Sequence, residues 1–416
     1  MRPSSRPCSG LSVHIALTAV LAAAVAGVAG PAGAVSGEPV PRTERISVAP
    51  DGTGGNNHSV EPVVSADGRV VAFASGATNL VAGGTDGTYS VFYRTAPGAP
   101  LRRVVVPGAT TSTPQVSGSG SHLTFTSYSA TTGKSSVHVM DLRTGSVERL
   151  APALDEDYEV SYGIAPVSAE GRHVAFVARP TTGENGAFDC RVMLLDRWTE
   201  QVRRVSRPSD GSKDFHRCTQ ISMSADGRKV AYLEGYSGPA DDDQGDILVY
   251  DRVTGRTVQA DASHDGAPAD RSAVAPVLSA DGTRVGFNSQ ATNLVPEADP
   301  NDGWNAFVRD LRTGELHRHD GRTPTDLTLV SDLSANGSKL LLNTADANRR
   351  TTGLILRDLR TGHEELLAPG QDGEPVTVGR AALSADESTA VFDSYHPGLV
   401  PDDTNLIGDV FVRTLR

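Results

Sequence analysis

One short string recurs seven times along this chain: a serine, a small residue, an Asp-Gly or its equivalent, then an alternating apolar run. The copies are VSADGRVVAF from Val64, VSGSGSHLTF from Val116, VSAEGRHVAF from Val167, MSADGRKVAY from Met223, LSADGTRVGF from Leu278, LSANGSKLLL from Leu333 and LSADESTAVF from Leu383. Their serines stand at 65, 117, 168, 224, 279, 334 and 384, a spacing of 50 to 56 residues. A period near fifty with four strand-sized pieces per unit is what a β-propeller blade requires. It is too long for helical or leucine-rich repeats.

Each unit divides into four strands. An apolar strand A ends at the serine, Asp-Gly is expected to supply the positive φ of a two-residue hairpin turn, and strand B returns. Strand C, clearest in Asp246-Ile247-Leu248-Val249-Tyr250, runs into a second tight turn of the form Asp-x-x-Thr-Gly. That turn starts at Asp141, Asp251, Asp310 and Asp358, and is degraded to DRWTE at Asp196. Strand D, such as Val202-Arg203-Arg204-Val205, completes the blade. The seventh unit has no fourth strand after Asp409–Arg413, whereas Glu44-Arg45-Ile46-Ser47-Val48 precedes the first motif and resembles a strand D. Donating it to the last blade would close the ring and remove an open edge. The expectation is one all-β, seven-bladed propeller over residues 44–416, with 35–43 a flexible lead.

Residues 1–34 stand apart from this pattern. Arg2 and Arg6 precede an apolar run from Leu11 to Ala29, and Ala32-Gly33-Ala34 follows, the order of a secretory signal peptide cleaved near Ala34. The mature chain is then secreted, to the extracellular space or the cell envelope, without a transmembrane segment. Without Arg2 and Arg6 it has 50 acidic against 36 basic residues and lacks the basic footprint of a nucleic-acid binder. Cys8 leaves with the leader and precedes the apolar run, so no lipoprotein anchor is indicated. Two thiols, Cys190 and Cys218, remain in an exported chain, which points to a disulfide rather than a metal site.

The repeats resemble those of the WD-repeat-like propeller family that includes TolB, whose blades carry a Ser-Pro-Asp-Gly turn before an apolar strand. Here alanine stands in place of the proline, and TolB's own propeller has six blades. The resemblance spans residues 44–416 and implies an exported, often periplasmic, protein-binding role. It brings no catalytic residues with it.

Strand order makes the two faces unequal. The A–B and C–D turns are tight and share one face, whereas the B–C and D–A connections are long and share the other, as at 76–90, 235–245, 207–217 and 261–273. Function in such scaffolds sits on loops, so the long-loop face is the candidate. His58, His216 and His264 lie in its D–A loops. The position four before each motif serine is Glu61, Thr113, Ile164, Gln220, Ala275, Val330 and Arg380, a mostly neutral channel mouth. Glu61 and Arg380, on the first and seventh blades, are expected to pair across the seam. Asp299, Asn301 and Asp302, and Asp402, Asp403, Asn405 and Asp409, offer oxygen atoms to a calcium ion, although neither run has the full EF-hand order. Without a calcium ion the same residues serve as local turn formers.

There is no H-E-x-x-H and no G-x-S-x-G in the chain. The expectation is a monomeric, non-enzymatic module that binds a protein or peptide partner through the long-loop face. Two further readings stay open: a propeller enzyme such as a polysaccharide lyase or hydrolase, and a calcium-stabilised structural protein of the envelope.

Overall fold

The computed structural model describes residues 41–150, 158–161, 163–180, 191–206, 215–237, 245–299, 303–323, 325–346, 348, 351–403 and 405–415. They form seven sheets of four antiparallel strands each, and no helix is present among them. Six blades are built from consecutive strands. The seventh takes Ala381–Leu383, Thr389–Ser394 and Asp409–Thr414, and its outermost strand is Arg42–Arg45 from the beginning of the chain. Arg42 pairs with Thr414 and Arg45 with Phe411, and Ile46 N–H donates to the Val410 carbonyl at 2.9 Å. The closing strand thus begins at Arg42, two residues before the expected start, and residues 42–43 belong to the propeller rather than to a flexible lead.

The recurrent serine has a definite job. In every blade its Oγ accepts the backbone amide five residues on, at 2.9–3.0 Å, as Ser65 does for Val70 and Ser384 for Thr389. The serine amide meanwhile donates to the carbonyl of that same residue. The A–B turn is therefore a four-residue loop closed by a serine side chain, not the two-residue hairpin expected from Asp-Gly. Where the motif has Asp or Asn two residues after the serine, its side-chain oxygen accepts a hydrogen bond from the serine hydroxyl, 2.6 Å away at Asp67 and Asp386. Glycine supplies the left-handed residue of the turn in six blades, and Glu387 does so in the seventh with φ of 57°. The C–D turns follow the expected chemistry: Asp141 Oδ1, for example, accepts the amides of Arg143 and Thr144.

The core lies within and between blades. On strands B and C, cross-strand aromatic pairs stack in three blades: Phe73 on Phe92, Phe287 on Phe307 and Phe392 on Phe411, with centroids 5.6–6.0 Å apart. The second blade puts His138 opposite Phe125, coplanar within 5° at 5.0 Å. Burial holds this imidazole down to about 4, so it packs as a neutral aromatic ring, hydrogen bonded to Ser127. Adjacent blades share clusters, such as Val71 and Phe73 of the first with Val391 and Val410 of the seventh. Burying each such Phe contributes on the order of 1.5–3 kcal/mol.

Around the channel, the A–B turns are linked blade to blade by main-chain hydrogen bonds. Ala66 N–H meets the Gly118 carbonyl, Ala169 meets Ala225, Ala225 meets Ala280, and Asp386 N–H returns to the Ala66 carbonyl at 3.0 Å. The seventh blade is thus joined to the first at both the inner and the outer circumference.

Candidate functional site

The residues four before the motif serines have an unexpected backbone. Glu61, Thr113, Gln220 and Ala275 adopt φ of 49–59°, each at a register shift where strand A bulges against strand B. A non-glycine residue with positive φ is uncommon, and a bulge re-aims the side chain it carries. Here the bulges aim side chains at the neighbouring blade. Glu61 Oε2 accepts the Thr113 amide at 3.1 Å, and Gln220 Oε1 accepts the Ala275 amide at 2.7 Å. Asn288 Oδ1 accepts the Val330 amide at 2.7 Å, and Asn343 Nδ2 donates to the Gly379 carbonyl at 3.0 Å. A belt of side chains latched to the next blade's main chain therefore joins neighbouring blades. Prolines 62, 114 and 276, each just after a bulged residue, are the sequence signal, because proline in an inner strand marks an irregularity.

The belt turns acidic at the seam between the seventh and first blades. Asp393, on strand B of the seventh blade, is 4% exposed. Burial pushes its carboxyl up to about 6, while the amides of Arg380 and Glu61 and the charge of Arg380 pull the other way. Glu61 and Arg380 do not form the expected ion pair. The Glu61 carboxylate is turned onto Thr113, and the acid that meets the main chain of both residues is Asp393. The Arg380 side chain is exposed.

The same seam carries three rings from three loops of the long-loop face. Tyr395 directly follows strand B of the seventh blade, Tyr89 directly precedes strand C of the first, and His58 directly precedes its strand A. Both tyrosines are exposed. Tyr395 and His58 are tilted against each other at 5.4 Å, and His58 Nδ1 accepts the Gly408 amide at 2.9 Å, which fixes that nitrogen as the acceptor. Burial raises the Tyr89 hydroxyl above its ordinary range, with Tyr395 and Glu61 adding to the effect. Glycines make room for the rings. A Cβ on Gly76 would come within 3.2 Å of the Tyr89 ring, and one on Gly408 within 3.0 Å of the Tyr395 ring. The result is an aromatic surface at the seam, with the Glu61 carboxylate close enough to act on the Tyr89 hydroxyl.

The other expected site residues are dispersed. His264 is exposed on the fifth blade, its amide donating to Leu294. His216 lies on strand Phe215–Met223 of the fourth blade, and its side chain is outside the described residues. Cys190 and the side chain of Cys218 are likewise outside them, as are Asn301 and Asp302. Asp299 accepts from the Asn305 side chain. The second acidic run has another occupant: Arg45 NH1 lies 3.3 Å from both Asp403 and Asp409, its NH2 donates to the Asp402 carbonyl, and Asn405 caps the Ile407 amide. Among the described residues no three His, Cys, Asp or Glu side chains gather as a metal site would require.

Fold and site together define a seven-bladed β-propeller with an aromatic-rimmed mouth at its closing seam. No protein-family model matches the chain, and no curated protein matches its sequence. Solved structures do match in fold. An oligogalacturonate lyase from Vibrio parahaemolyticus superposes with a TM-score of 0.58 at 12% identity, covering 91% of this chain and 98% of the lyase. An oligogalacturonate lyase in complex with manganese gives 0.57 at 14% identity, covering 90% and 93%. TolB from Acinetobacter baumannii gives 0.42 at 12% identity, covering 79% and 76%. At these identities the likeness is one of fold. Among the described residues no helix is long and apolar enough to cross a membrane.

Proposed function

We propose that this chain is an exported, non-enzymatic binding propeller that engages a protein or peptide partner through the long-loop face at the seam of its first and seventh blades. The observation that carries this reading is the pair of exposed tyrosines, Tyr89 and Tyr395, seated on glycine backbone beside Glu61 and Arg380. Tyrosine supplies large contact area with few rotatable bonds and a polar tip, which is why it is enriched at recognition surfaces. Export rests on the leader pattern of residues 1–34, and an oxidising destination would join Cys190 to Cys218. Replacing Tyr89 and Tyr395 together by alanine should abolish capture of the partner from an envelope fraction while leaving the melting transition in place. Capture that survives the double replacement would refute the reading.

A second reading is favoured by one observation. Asp393, near 6 and adjacent to Glu61 and Arg380, has the protonation behaviour of a general base, on a fold shared with lyases that act on oligogalacturonate. Formation of unsaturated product from that substrate, lost in Asp393→Asn, would establish this alternative instead.

A further inference from the structure

A separate cavity of about 510 Å³ lies where the seven A–B turns meet, on the face opposite the tyrosines. Its rim is the residue after each motif serine, alanine in six blades and Gly118 in the second; its wall is the residue before each serine, always Val, Leu or Met. Only two lining residues are ionisable, Glu170 and Asp332, and both are acids. The volume falls within the range of roughly 300–1,000 Å³ typical of small-molecule sites.

Asp332 is held across the seam of the sixth and seventh blades. Its Oδ1 accepts the Leu333 amide and its Oδ2 the Leu383 amide, both at 2.8 Å. Burial pushes the carboxyl up to about 6, and no charged side chain offsets that effect. The blade-4 equivalent shows that the latch needs no charge: Ser222 Oγ accepts the Leu278 amide at 2.9 Å in the same way. The negative charge at 332 is therefore surplus to holding the blades together. Each of its oxygens retains acceptor capacity, and a charge in an apolar setting calls for an opposite charge.

We infer that this funnel binds a small primary alkylammonium, its alkyl chain against the aliphatic wall and its ammonium on Asp332. The site is independent of the long-loop mouth.

The test is calorimetric titration of the intact protein with n-hexylammonium chloride and, as a neutral isostere, n-hexanol. Saturable binding of hexylammonium is expected at pH 8, at least tenfold tighter than hexanol. Asp332→Ser, which carries the blade-4 latch into blade 6, should weaken hexylammonium at least tenfold and leave hexanol unchanged. Ala225→Phe, which fills the rim without touching Asp332, should abolish both. Absence of hexylammonium binding to the natural chain, equal affinity for Asp332→Ser, or binding undisturbed by Ala225→Phe would each overturn the inference.

Discussion

Arg45 and Asp409 lie 3.3 Å apart with almost no solvent on either side chain, although 364 residues of chain separate them. Asp403 approaches the same guanidinium at 3.3 Å, and Ser47 Oγ donates to the other Asp409 oxygen at 2.5 Å. Burial raises both carboxyls, and against it act the Ser47 hydroxyl and the Arg45 charge at Asp409 and the Arg45 charge at Asp403. Removing one partner of such a group leaves an uncompensated charge at a cost of about 3–5 kcal/mol. Arg45→Ala is therefore expected to loosen the seventh blade first. Hydrogen exchange should show the amides of 409–414 losing protection ahead of those in the third and fourth blades; uniform loss around the ring would count against a seam lock.

The turn serines make a smaller, local contribution. Ser65→Ala leaves the buried Val70 amide without its acceptor, for a loss of about 1–3 kcal/mol. The opposite sign is expected at Glu200, which occupies the glycine position of the degraded Asp196 turn with φ of 57° and is exposed. Glu200→Gly should stabilise by about 1 kcal/mol through relief of left-handed strain. Chemical denaturation of the two variants settles both signs.

A pH signature is expected from Asp261, at the end of strand D of the fourth blade. It is fully buried, neither oxygen makes a hydrogen bond of ordinary geometry, and burial, with Asp246 nearby, pushes it up to about 7. The folded state thus holds its proton above the ordinary value of 3.8, so the contribution is present below about pH 4 and is lost as pH rises through 7. Asp261→Asn removes that dependence. The variant should gain up to about 4 kcal/mol over the natural chain at pH 8, with the gain shrinking toward pH 4. A gain that is the same at both pH values would contradict the assignment.

Much of the fold could be read from residues 65, 117, 168, 224, 279, 334 and 384, because a serine that closes a turn is needed once per blade whatever packs around it. The strand swap was legible from the ends of the chain for a similar reason, since an unpaired edge demands a partner. The turn geometry was not, because the serine side chain takes over a main-chain bond that Asp-Gly alone would not suggest. The expected pairing of Glu61 with Arg380 failed because the bulge at Glu61 turns its carboxylate to the next blade. The acid between them, Asp393, occupies the strand B position nine after the motif serine. Ala74, Val177 and Leu233 stand there in other blades, and Asn288 and Asn343 already break that apolar pattern. Tyr89 and Tyr395 come from non-equivalent points of their repeats, so no alignment of blades brings them together; ring closure does.

The binding reading is tested most directly by placing a photo-crosslinking residue, in separate variants, at Tyr395 on the long-loop face and at Val253 in a C–D turn of the opposite face, both exposed. After irradiation in the envelope of the producing cell, the account predicts a discrete adduct of higher mass from position 395 and none from 253. Adducts from 253 alone, or none from 395, would contradict it.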